Sequence, residues 1–183
     1  MGYQLFDKKM MLQLGAQMGL RPDRIADASE DEHVAQSLLE RMFASDVRGR
    51  RFQVQSDARE AMSVAQVQEL INAAYDWGNM IIVGRGAQVV LAGKPDVLHV
   101  RVVAPVELRI RRWQARERLT ADGARQKVQE RDRAHSDFVK RFFGADIDDA
   151  ALYDLVIRTA KIAPAAAADL IVKALAALPA RAE

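Results

Sequence analysis

Apolar positions along the chain follow two patterns. In some segments they recur every three or four residues, the spacing of one helix face. In others they form short continuous runs bounded by turn residues, as in strands buried on both faces. Val64, Val67, Leu70, Ile71 and Ala74 mark a helical stripe and predict a long helix over 58–77, ended by Gly78 and Asn79. Met11, Leu12, Leu14 and Met18 predict a helix from Asp7, as its N-cap, to residue 18, after a short strand over 2–6. Leu38, Leu39 and Phe43 give a short amphipathic helix over 34–43, between a polar turn at 21–32 and a charged, exposed segment at 45–57. The runs at 80–83, 97–103 and 152–157 read as buried strands, and 105–118, 120–143 and 163–178 as helices. Non-alternating strands separated by helices predict a parallel sheet covered on both faces. The expected fold is therefore an α/β three-layer arrangement, helix-rich in its first half, with residues 1–183 as a single domain.

Composition narrows the function classes more than the fold. The 183 residues are half hydrophobic, enough for a core without covalent staples. The absence of cysteine removes disulfides, thiol nucleophiles and cysteine-ligated metals, and fits the cytoplasm. No stretch reaches the roughly 20 apolar residues of a membrane helix. The first twenty residues carry their lysines mid-segment and do not read as a signal peptide, and Phe6 stands where a myristoylation motif wants Ser or Thr. A net charge of +2 is too mild to argue for nucleic acid as a partner. Oligomeric state has no marker in the sequence.

The positions of the arginines carry more information. Arg109, Arg111, Arg112, Arg116 and Arg118 crowd one predicted helix, and Arg125, Arg131, Arg133 and Arg141 follow on the next. Arg112 and Arg116 stand four residues apart and so share a face. Like charges there repel unless an anion sits between them, and guanidinium is the natural clamp for phosphate. The competing reading is a solvated face interleaved with Glu107, Glu117, Glu130 and Asp132. Arg85 lies between Gly84 and Gly86 at the carboxyl end of the strand at 80–83, where open parallel sheets bind ligands. It can grip an anion there, or it can cap the next helix or pair with a carboxylate. His33, His99 and His135 lack metal-ligand spacing, and Asp146, Asp148 and Asp149 read as a turn rather than a magnesium site, so no metal ligand is assigned. Trp77 and Trp113 read as packing residues.

The stretches "GYQLFDKKMM", "IIVGRGAQVVL", "VLHVRVVAPVELRIRRWQARERLT" and "VQERDRAHSDFVKRFFGADIDDAALYDLVIRTAKIAP" resemble the cytidylate kinase-like family, a branch of the P-loop nucleoside monophosphate kinases. The resemblance runs from Tyr3 to about Val172. It implies a transferase that moves a phosphoryl group from ATP, with Mg²⁺, to a small nucleotide acceptor resembling CMP. On that likeness Arg85, flanked by Gly84 and Gly86, would hold the acceptor phosphate, with Asp7 and Lys8 as further acceptor contacts. Arg112 and Arg116 would meet the donor nucleotide from a lid at about 107–143. Arg112, Arg131 and Arg133 would act on the transferred group, and Asp132 would orient an arginine or reach the acceptor. Neither nucleic acid nor a membrane is implied as a partner.

One departure from the family is large. The family opens with a central strand and a glycine-rich loop that wraps the donor phosphates. No G-x-x-x-x-G-K-[ST] occurs in these residues. Two expectations compete: an N-terminally shortened form of a longer kinase, inactive as written, or a non-catalytic relative that senses a nucleotide or binds a partner. Ile147, Ala150 and Arg158 also stand where the family often has Trp, Pro and Asn.

Overall fold

The computed structural model describes residues 2–6, 8–19 and 51–180. Contacts divide the chain into two compact units, Met1–Val90 with Arg141–Gly144, and Leu91–Lys140 with Ala145–Glu183. The predicted turn at 21–32 and helix at 34–43 lie outside the described residues, as does Asp7.

The first unit contains β1 (Gln4–Phe6), α1 (Lys8–Gln17), α2 (Arg51–Trp77), β2 (Met80–Ile82) and α3 (Ala87–Val90). β1 and β2 pair in parallel, Gln4 opposite Met80 and Phe6 opposite Ile82. The α2 stripe is buried as its periodicity predicts: Val67, Leu70, Ile71 and Ala74 are fully covered and Val64 nearly so. Phe6, Leu14, Leu70 and Ala74 form one core cluster, with Met10, Ala73, Met80 and Ile82 packed against it. The helix ends at Gly78, whose φ of +76° and N–H bond of 3.0 Å to the Tyr75 carbonyl close the last turn.

Four expectations need correction here. The helix predicted over 58–77 starts earlier, because α2 already begins at Arg51. The strand at 80–83 is not buried on both faces: Ile81 and Val83 are more than half exposed, since among the described residues β2 has only β1 as a ladder neighbour. Met18 and Trp77, read as interior, are exposed, because both lie at helix ends beyond the packed stripe.

The second unit contains β3 (Val100–Val103), α4 (Val106–Glu117), α5 (Ala121–Phe143, to Lys140 in this unit), a 3₁₀ turn (Ala150–Leu152), β4 (Leu155–Arg158) and α6 (Pro164–Leu175). β3 and β4 are parallel, Val100 opposite Leu155 and Val103 opposite Arg158. The ladder extends by one residue, as Thr159 donates its N–H to the Val103 carbonyl at 2.8 Å. The predicted strand at 152–157 starts later because the 3₁₀ turn takes its first residue; Asp149 caps that turn by accepting the Ala151 N–H at 2.9 Å. Ile110, Ala124 and Val128 bury the contact of α4 with α5, with Trp113 and Leu119 against them. Arg118 takes a left-handed conformation at the end of α4, and Thr120 opens α5 by accepting the Gly123 N–H at 3.2 Å.

Candidate functional site

Gly84, Arg85 and Gly86 follow β2 at its carboxyl end, with φ of +75°, +60° and +72°. Three successive left-handed residues make a tight reversal that glycine adopts readily, whereas an arginine there costs roughly 1–2 kcal/mol. Such a conformation persists only where its surroundings enforce it, and it concentrates at functional sites. Ala87 N–H bonds to the Gly84 carbonyl at 3.2 Å, and Val89 N–H to Gly86 at 2.8 Å, which starts α3. Arg85 Nη1 donates to the Val83 carbonyl at 3.1 Å, turning the guanidinium toward the strand it follows. A Cβ on Gly86 would fall on the Phe143 ring, so the flanking glycine is fixed by packing as well as by its dihedral. Of the other residues assigned to the acceptor, Lys8 opens α1.

The second unit places the remaining arginines. Arg112 Nη2 donates to the Thr159 carbonyl at 3.3 Å, which puts its guanidinium at the carboxyl edge of the β3–β4 ladder. Thr159 is itself buried, and its hydroxyl donates to the Val103 carbonyl at 3.2 Å. Arg116 packs over the Trp113 ring, 4.0 Å from its centroid, and Arg131 reaches the same ring from α5 at 4.8 Å. Lys127 stands 5.0 Å from that centroid. Glu117 accepts from Lys127 at 2.9 Å and from Arg116 at 3.2 Å. These donors, Lys127 foremost, hold its carboxyl below the usual glutamate range. Asp132 takes both ends of Arg109, at 2.6 and 2.5 Å, and this paired bond raises the Arg109 guanidinium further above its ordinary value. Arg133 is exposed, and its side chain has no hydrogen bond or ion pair among the described residues.

Arg112, Arg116 and Arg131 thus belong to one framework of α4, α5 and the end of β4. Thr159, which anchors Arg112, had no signal in the sequence, and two residues named there make contacts that it did not foretell: Arg109 engages Asp132, and Trp113 gathers cations. Helical spacing alone could place Trp113 beside Arg116, three residues on; the contacts from α5 needed the packing of two helices.

The three aspartates at 146–149 do not fit a magnesium ion. Asp146 accepts the Asp148 N–H at 2.9 Å, Asp149 caps the 3₁₀ turn and Asp148 pairs with Arg101. Their carboxylates hold the backbone before β4 and one arginine, rather than converging on a cation.

The sequence model of the cytidylate kinase-like family matches residues 1–161. The chain is 35% identical over 96 residues to the cytidylate kinase of Methanopyrus kandleri, covering 48% of this chain and 50% of that one. It is 30% identical over 146 residues to the cytidylate kinase of Pyrococcus horikoshii, covering 77% and 73%. Against the cytidylate kinases of M. kandleri and Methanocaldococcus jannaschii it spans about half the relative's length, 50% and 48%. Its fold is shared with the crystal structure of an uncharacterized protein from Eubacterium ventriosum, at a TM-score of 0.60 and 19% identity over 67% of this chain and 77% of that one. The helix-rich α/β architecture with small parallel ladders is consistent with a P-loop kinase-like domain. A match that runs from the first strand through the arginine-bearing helices to the end of β4 leaves one assignment: this chain belongs to the cytidylate kinase-like family.

Proposed function

We propose that this chain carries the acceptor-binding and lid residues of a cytoplasmic nucleoside monophosphate kinase, which transfers the terminal phosphoryl group of ATP to a CMP-like acceptor. The observation that carries the reading is Arg85, kept in a left-handed turn at the carboxyl end of a parallel strand in a chain of this family. Phosphoryl transfer asks the protein for in-line positioning and for cations around the transferring group. Arg85 would hold the acceptor phosphate through paired N–H bonds, with Asp7 and Lys8 as further acceptor contacts. Arg112 and Arg116 would meet the donor phosphates, and Arg112, Arg131 and Arg133 would neutralise charge on the transferred group. Asp132, locked on Arg109, would set the orientation of α5 beneath Arg131 and Arg133. Closure of the two helices would exclude water as a competing acceptor.

The second reading is a nucleotide-sensing or partner-binding relative without turnover. One experiment separates the two. Phosphoryl transfer from ATP to CMP, UMP, dCMP and AMP is measured for this chain and for the full product of its gene. The kinase reading expects turnover in the full product, and expects Arg85→Gln to lower kcat/KM by roughly 10²-fold or more. A full product that binds nucleotide and transfers to no acceptor supports the sensing reading instead.

A further inference from the structure

Trp113 lies in the buried contact between α4 and α5, against Ile110, Ala124 and Val128. An indole serving only to fill that contact would need no charged neighbours, yet three cations converge on its ring. Arg116 lies 4.0 Å from the centroid, Arg131 4.8 Å and Lys127 5.0 Å. All are inside the ~6 Å range over which a tryptophan face attracts a cation. The three come from two helices, and their mutual repulsion is relieved by Glu117, which takes hydrogen bonds from Arg116 and Lys127. A guanidinium attracted to a ring face keeps its N–H donors in its own plane, so the contact restricts its orientation without consuming its hydrogen-bonding edge. Immobilising a long side chain before a ligand arrives removes part of the ordering cost of binding.

We propose that Trp113 is a positioning residue for a polyphosphate: its ring holds Arg116 of α4 and Arg131 of α5 together at one anion-binding surface. The proposal rests on the kinase reading, which assigns those arginines to phosphate, and adds the residue that brings them together. Trp113 itself touches no phosphate. Its effect is therefore on polyphosphate affinity and not on the acceptor side.

The test uses Trp77→Phe as the parent, which leaves Trp113 as the single tryptophan; Trp77 is exposed and outside the cluster. Trp113→Phe and Trp113→Leu are compared with that parent. Calorimetry gives the Kd of inorganic tripolyphosphate and of CMP, melting gives Tm, and NMR gives the ring-current shifts of the arginine δ protons. In the Leu variant those shifts are expected to vanish and the tripolyphosphate Kd to rise by roughly five- to thirtyfold. The Phe variant, with a weaker ring face, is expected to fall between, and the CMP Kd to stay constant in both. The proposal is overturned if the parent shows no ring-current shift, or if the tripolyphosphate Kd is unchanged while Tm drops, which is the signature of packing alone. A parent that binds neither tripolyphosphate nor CMP overturns the proposal, while the kinase reading stands or falls separately on turnover in the full product of the gene. A parent that binds both, with a Leu variant that binds both equally well, overturns only the role of Trp113.

Discussion

At the scale of single residues, Gly86 shows how backbone and packing jointly dictate one side chain. Its φ of +72° disfavours any Cβ, and the position that Cβ would take is filled by the Phe143 ring. Gly86→Ala therefore meets two penalties, a strained dihedral and an overpacked contact, and should destabilise the chain by about 2–4 kcal/mol in urea unfolding. Gly84→Ala, with φ of +75°, meets at least the dihedral penalty of about 1–2 kcal/mol. The two variants make a control for each other. If Gly86→Ala, Phe143→Ala recovers most of the gap between them, the ring contact is the cause. If the gap persists, the Phe143 ring is not the cause.

At the scale of elements, the pair α4 and α5 is joined by ion pairs as well as by apolar burial, and Glu117 is its acid-sensitive link. Its folded pKa lies below its unfolded value. The ionised form is thus favoured by folding: the contribution is complete above the unfolded value and disappears as pH falls through the folded one. Both bonds to Glu117 are made at the surface, so the effect on Tm is small and the pKa is the better readout. A carboxyl NMR titration should place the Glu117 midpoint below the ordinary glutamate value, and Lys127→Gln should restore it more than Arg116→Gln, because the Lys127 bond is the largest cause. The reverse order would reject this account. Elements differ in how far the sequence exposes them. The α2 stripe was legible because five apolar residues at helical spacing need only a partner of any kind on one side. The bond from Asp132 to Arg109 was not, since it depends on how two helices cross. Arg85 was legible as a candidate from its position after an apolar run between glycines, but its φ of +60° was not, because an arginine carries no preference for that region.

At the scale of the whole molecule, the described residues of each unit form a parallel ladder of two strands, with apolar side chains outside its core. Parallel strands are normally covered on both faces, which is why runs such as 80–83 read as fully buried in sequence. Burial of a strand is a property of its neighbours, so no pattern within the run itself could report that Ile81 and Val83 are open. The stability of the chain should then be carried unevenly. Phe6 is fully enclosed by Leu14, Leu70 and Ala74, and Phe6→Ala should cost about 3–5 kcal/mol, a large part of a typical total of about 5–15 kcal/mol. Ile81 lies on the neighbouring strand with 51% exposure and Val102 on β3 with 57%, so Ile81→Thr and Val102→Thr should each change stability by less than about 1 kcal/mol. Threonine keeps the β-branched shape, which leaves strand preference nearly constant and isolates burial as the variable. Urea unfolding of the three variants at equal protein concentration measures the contrast. A cost for Ile81→Thr matching that for Phe6→Ala would mean that the open side of β2 is covered in solution, and dilution would then tell an intramolecular cover, insensitive to concentration, from a second copy of the chain.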